Sequence, residues 1–376
     1  MKHMSSWLRE RWFLVWPVTL ALVVGTAFQG SRGLMETSET RYAECAREML
    51  VSGNWPEPTL EFEPHWTKPP FTYWCMAFGM RLFGANAWGV RLTAVFMLLV
   101  AVLAVVFSAR RLRGAKAGCA AGIALALGYP GVAVNMVTTD IYVLATQSVA
   151  GALFLHAANE PSPARRRAWT RGMWAAWGLC FLVKGAPALL PLLAILPWNR
   201  LQPKERRAPL GDAIGLGLAL TLGLAWYLIV VARHPELLGY FVGTEIVDRV
   251  ASDLGHNRAW YKAIEVYGPA MLAVAGVFGL WAVERTLRAG PWRARNWREL
   301  WSARDERLLL AGWTALPLLV FCLSTSKLPL YVLPLTASVA LASGLVLARN
   351  VRWRHLRRVA LVLAPLVVSI KAIGAH

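Results

Sequence analysis

The residues able to do chemistry stand apart from an otherwise apolar chain. The segment from Glu36 to Trp74 carries Glu36, Glu39, Glu44, Glu48, Glu57, Glu61 and Glu63, with Arg32, Arg41, Arg47 and Lys68 nearby. A second polar segment, 233–262, holds Glu236, Glu245, Asp248 and Asp253 beside Arg249 and Arg258. Single charges close apolar runs at Asp140 in Val-Thr-Thr-Asp, Lys184 in Val-Lys-Gly-Ala-Pro and Lys327 in Ser-Thr-Ser-Lys. An ionisable group at the mouth of an apolar run is costly, so its default reading is functional. Carboxylates so placed can act as general bases, and fixed lysines can hold anions. Lys68, stiffened by Pro69 and Pro70, is aimed at an anion.

The elements that must position these groups are helices in a membrane. Of 376 residues 57% are hydrophobic and only 16% charged, against about 25% in soluble domains. Apolar runs near 13–30, 88–108, 117–135, 141–158, 211–232, 264–284, 308–324, 328–348 and 358–375 approach the roughly 20 residues a bilayer demands. Most of the 40 basic residues fall in the connections that alternate with the acid-rich segments, around Lys2–Arg11, Arg110–Lys116, Arg165–Arg171, Arg200–Arg207, Arg285–Arg307 and Arg349–Arg358. The positive-inside rule assigns these connections to the cytoplasm and the acid-rich segments to the outside. The net charge of +19 is thus a topology signal in contact with anionic lipid, not a nucleic-acid surface.

The run 172–198 lies between two basic clusters and must therefore leave and return. Its break is Lys184-Gly185-Ala186-Pro187, and arms of about 12–15 residues are shorter than the membrane core. Short broken helices of this kind line binding cavities. Eleven spans follow, with the N-terminus inside and the C-terminus outside. The whole chain, 1–376, reads as one all-α polytopic domain, with outer segments 31–87 and 233–262 and no soluble domain after the last span. In the first outer segment, Ser38 opens a surface helix with Tyr42, Cys45, Ala46 and Met49 on one face. Glu44 and Glu48 fall on its solvated face, and Glu36 and Glu39 precede or open it. A second surface helix is expected over 71–83. Cys45 and Cys75 are the one pair of the five cysteines placed to bridge outside the cell.

Five stretches, in order, resemble one family: ETRYAECAREMLVSGNW (39–55), KPPFTYW (68–74), the turn ending at Asp140, VKGAPALLPL (183–192) and SKLPLYVLPL (326–335). The segment 241–261 fits as well. The chain is similar, from residue 13 to about 348, to the GT-C glycosyltransferases related to aminoarabinose lipid A transferase and protein O-mannosyltransferase. The resemblance implies a GT-C-like bundle in the bacterial inner membrane, with its active site facing the periplasm. It implies a polyprenyl-phosphate-linked sugar as donor and a lipid or periplasmic molecule as acceptor. Lys68, Lys184, Arg249, Arg258 and Lys327 are then the cations for the donor phosphate, with Tyr331, four residues after Lys327 on a shared helical face, as a hydrogen-bond donor. For the base it nominates Glu39, Asp140 and, as a substitute, Glu36. Two departures stand out. Ser38 and Thr67 occupy positions where relatives carry acids, which weakens any divalent-metal site. His65 and His256 are isolated as metal ligands.

Overall fold

The computed structural model describes residues 6–35, 38–243, 261–288 and 306–373. Glu36, Arg249, Arg258 and His256 lie outside the described residues.

The chain is a helical bundle. It runs through α1 (Ser6–Thr26), α2 (Ser38–Ser52), a hairpin of β1 (Thr59–Leu60) and β2 (Glu63–Pro64), then α3 (Phe71–Phe83), α4 (Ala87–Arg113) and α5 (Ala115–Ala126). After these come α6 (Tyr129–Ala133), α7 (Asp140–Ala158), α8 (Pro163–Lys184), α9 (Leu192–Leu201), α10 (Ala213–Arg233) and α11 (Leu237–Gly239). The last are α12 (Lys262–Arg288), α13 (Glu306–Leu323), a 3₁₀ helix (Pro329–Leu335), α14 (Thr336–Asn350) and α15 (Trp353–Ile373). Six described segments are long and apolar enough to cross a membrane: α4, α7, α10, α12, α13, and the 3₁₀ helix joined to α14. Eleven spans were expected. The apolar parts of α1 and α5 are shorter than a full crossing, and α8 devotes its first turns to Arg165, Arg166, Arg167 and Arg171.

The core is built from small residues. In α5 every residue from Ala117 to Ala126 is buried, because Gly and Ala let backbones approach closely where lipid offers no hydrophobic drive between helices. A Cβ on Gly344 of α14 would lie 2.5 Å from Cβ of Ala121, and one on Gly151 of α7 would lie 1.8 Å from the indole of Trp313 in α13. Where the sequence promised one span, at 117–135, Gly128-Tyr129-Pro130 divides it into α5 and α6. Pro329 and Pro334 likewise hold the start of the 328–348 run in a 3₁₀ helix, since proline offers no donor for α-helical bonding.

The helix ends sort by charge. Arg113 of α4 meets Glu306 of α13 at 3.8 Å, and Arg171 of α8 meets Asp212, the N-cap of α10, at 2.9 Å. Following the alternation of helices, the opposite end receives α2, the hairpin, α3, Asp140, Lys184 and Lys327. There Lys371 of α15 donates to the Val24 carbonyl of α1, capping a helix C-terminus with a cation.

In the first acid-rich segment, α2 buries Cys45, Ala46 and Met49 as its periodicity demands. Glu44 pairs with Arg47 at 2.6 Å on the partly exposed side. Glu48 departs from expectation: it is buried, and its Oε2 accepts from Thr59 Oγ1 at 2.5 Å and Phe62 N at 3.1 Å. Those bonds hold a hairpin turn whose Glu61 and Phe62 both have positive φ, 57° and 60°, a conformation disfavoured for residues with a Cβ. Cys45 and Cys75 are unbridged.

Candidate active site

A cavity of about 700 Å³ opens at the acid-rich end. Most of its wall is aliphatic and aromatic, from Phe181, Leu190, Leu224, Tyr227, Val231, Phe321 and their neighbours. Its charged residues, among those described, are Lys68, Asp140 and Lys184. Helix ends position them. Asp140 is the first residue of α7 and is 5% exposed. Lys184 is the last residue of α8, where Gly185 turns the chain with φ 71°. That positive φ suits glycine, so the sequence break fixes where the lysine sits.

Lys184 Nζ forms a salt bridge to Asp140 Oδ1 and lies 4.7 Å from the centroid of the Tyr331 ring, within cation–π range. Tyr331 comes from the 3₁₀ helix and shares a hydrogen bond with Ser326 at 3.1 Å. Lys68 donates to the Thr67 carbonyl at 2.6 Å, and both residues line the cavity rim. Seven residues beyond Asp140 on α7, Gln147 lines the same cavity and donates to the Ala188 carbonyl at 2.7 Å, bracing the break that follows Lys184. Sequence reading missed Gln147, although its spacing from Asp140 puts both on one helix face.

Two nominated residues lie elsewhere. Lys327 is 1% exposed, donates to the Ser324 carbonyl and is not among the cavity-lining residues. It also precedes the 3₁₀ helix, which begins at Pro329, so it does not share a helical face with Tyr331. Glu39 is enclosed 5% exposed in a separate cluster. Its oxygens accept from Arg32 at 2.7 and 3.0 Å, Arg91 at 2.9 Å, Met35 N at 2.8 Å and Val137 N at 3.0 Å. Burial pushes the carboxyl pKa up, but those donors outweigh it and hold it below the usual carboxylate value, as multiple donors to the charged form do. Arg91 is itself buried and donates to the carbonyls of Gln29 at 2.7 Å and Gly33 at 2.9 Å. The sequence signal for Arg91 was an arginine inside the apolar run 88–108.

At the rim, His65 Nε2 meets Thr67 Oγ1 at 2.7 Å. Burial, then Arg41 and Lys68, push the His65 pKa down. Among the described residues, no group of three His, Cys, Asp or Glu side chains is arranged to hold a metal ion.

Residues 67–244 match the family model described as dolichyl-phosphate-mannose-protein mannosyltransferase. An undecaprenyl phosphate-α-4-amino-4-deoxy-L-arabinose arabinosyl transferase of Pseudomonas fluorescens is 29% identical over 363 residues, covering 94% of this chain and 63% of that protein. The Pseudomonas aeruginosa enzyme of that name is 32% identical, covering 86% and 57%. The crystal structure of ArnT from Cupriavidus metallidurans bound to undecaprenyl phosphate superposes with a TM-score of 0.76 at 28% identity, over 92% of this chain and 61% of that one. The archaeal oligosaccharyltransferase AglB from Archaeoglobus fulgidus, at 15% identity and a TM-score of 0.55, shares the fold. The fold is thus that of the GT-C membrane proteins. The chain is similar along most of its length to the aminoarabinose transferases among them, and spans less than two thirds of the length of these relatives.

Proposed function

We propose that this protein is a membrane glycosyltransferase that moves a sugar from a polyprenyl phosphate to an acceptor at the outer face of the bacterial inner membrane. The observation that carries the reading is one cavity with an apolar wall and a polar end made of Lys68, Asp140, Lys184 and Tyr331. An isoprenoid chain suits such a wall, and a phosphate suits the lysines and the tyrosine hydroxyl. The likeness to ArnT bound to undecaprenyl phosphate supports the same ligand class, and undecaprenyl-linked 4-amino-4-deoxy-L-arabinose is the first donor to test.

In the reaction the acceptor oxygen attacks the anomeric carbon while the bond to the phosphate oxygen breaks. Charge develops on the departing polyprenyl phosphate, where fixed cations lower the barrier. Lys68 and Lys184 supply them, and the Tyr331 hydroxyl can donate a hydrogen bond. Asp140 is the carboxylate at this end of the cavity and takes the acceptor proton as general base. Glu39, with five donors around it, suits an anchoring role better than a proton acceptor's. Glu36, Arg249 and Arg258 keep their nominated roles as base substitute and phosphate ligands. Lys327 acts, on this reading, by holding the turn at Ser324. The cluster of basic residues at the far end supports a cytoplasmic N-terminus and a periplasmic active site. The acceptor is an outer-leaflet lipid of the lipid A type or another periplasmic molecule.

Purified protein in lipid nanodiscs, given radiolabelled undecaprenyl-phosphate sugar and candidate acceptors, tests the proposal. Label is expected in the acceptor, with transfer lowered by Asp140→Asn and by Lys68→Ala. Movement of the lipid across the bilayer with no sugar transferred would overturn the enzyme reading.

A further inference from the structure

Lys184 faces two claims on one ammonium. It is bound to Asp140, with side-chain exposures of 13% and 8%, and it stands beside the Tyr331 ring in the part of the cavity proposed for the phosphate. Among the described residues lining the cavity, two lysines face one aspartate. With the pair closed, Asp140 Oδ1 is occupied by the ammonium instead of an acceptor hydroxyl. The lysine stem is four carbons long and ends a helix at a glycine turn, so its ammonium can move while α8 stays in place.

Resting on the transferase reading above, we propose that Asp140 and the donor phosphate compete for Lys184, so that binding of the donor releases Asp140 to act as base and the donor must bind before the acceptor reacts. The charges follow the chemistry. As the acceptor oxygen bonds to the anomeric carbon, the bonding pair of the broken bond leaves on the phosphate, and the acceptor proton passes to Asp140. The phosphodiester, with one negative charge, becomes a monoester approaching two. Asp140 becomes neutral in the same step and ceases to attract Lys184 when the phosphate attracts it most. Loss of that proton to solvent restores the Asp140 anion, which draws Lys184 back and favours departure of the polyprenyl phosphate. Lys184 is therefore a positioning residue for Asp140 as well as a ligand of the donor.

Undecaprenyl phosphate is the probe, and the full chain in nanodiscs is the sample. Asp140→Asn is expected to bind it about tenfold more tightly than the unaltered chain while losing transfer, and Lys184→Gln about tenfold more weakly, a scale set by coupling between close charge pairs. In the Lys184→Gln background, Asp140→Asn should change the affinity by less than about twofold. Equal tightening in both backgrounds would overturn the exchange, because general repulsion of the phosphate by Asp140 would then account for it. So would unchanged or weaker binding by an Asp140→Asn protein that unfolds at the same temperature as the unaltered chain. Steady-state kinetics on the unaltered chain do not depend on a variant that folds. Compulsory order, with undecaprenyl phosphate competitive against donor and not against acceptor, supports the exchange, and random order overturns it. A wild-type chain that fails to bind undecaprenyl phosphate would instead sink the transferase reading itself.

Discussion

Glu39 and Asp140 are both buried carboxylates with a basic partner, and the count of donors separates them. Glu39 is surrounded by two guanidiniums and two backbone amides that join the first outer segment to α4 and to the turn before α7. Glu39→Gln removes the charge that balances Arg91, which is 1% exposed. Breaking such a pair costs about 3–5 kcal/mol, and thermal unfolding in detergent should show the loss. The pH dependence has a definite sign. The folded carboxyl titrates below its ordinary 4.5, so its contribution is complete above that value and disappears as pH falls through the folded pKa. Melting temperature measured from pH 7 down to 3 should fall more steeply for the unaltered chain than for Glu39→Gln. Asp140 and Lys184 were legible in the sequence because isolated charges at the ends of apolar runs have few bland explanations, and Lys68 because two prolines stiffen the chain after it. Lys327 carried the same signal, yet its ammonium turns to its own loop, and spacing alone cannot reveal which way a side chain turns.

The helices themselves were legible wherever hydropathy decides, and their ends wherever glycine or proline intervenes. α7, α10 and α13 begin and end within two residues of the apolar runs, α12 ends four residues beyond its run, and α8 stops at the Lys-Gly break. The division of 117–135 and the 3₁₀ turn of 329–335 were not legible, since an apolar count is blind to hydrogen-bond pattern even though Pro130, Pro329 and Pro334 marked both places. Two glycines test the packing. Gly151→Ala places a methyl against the fully buried Trp313, and an overpacked contact of this kind costs about 1–3 kcal/mol, read as a lower unfolding temperature. Gly185→Ala forces a Cβ into a positive φ and shifts Lys184 from Asp140. Transfer is expected to fall at least tenfold with a smaller change in stability, as measured by initial rates beside the melting curve.

For the molecule as a whole, the basic clusters and the cavity mark opposite ends, which cysteine labelling can verify. With the native cysteines replaced by serine, Phe62→Cys at the exposed hairpin tip should react with an impermeant maleimide in intact spheroplasts. Ala164→Cys, beside Arg165, should react only after permeabilisation. The reverse pattern would invert the topology. The α10 wall of the cavity has a further consequence. This helix packs chiefly on α8, ties to the outer segment through Trp226 and the Pro56 carbonyl at 2.6 Å, and leaves most of its apolar surface outward, with 22% of its spanning window buried. It supplies Leu224, Tyr227, Leu228 and Val231 to the cavity, so one wall of that space is a helix whose other faces turn outward. A substrate arriving past it would search in two dimensions, and its supply would be set by its mole fraction in the leaflet. Diluting the donor with inert lipid at fixed bulk concentration should then slow turnover in proportion, the surface-dilution behaviour of enzymes whose solvent for substrate is the bilayer.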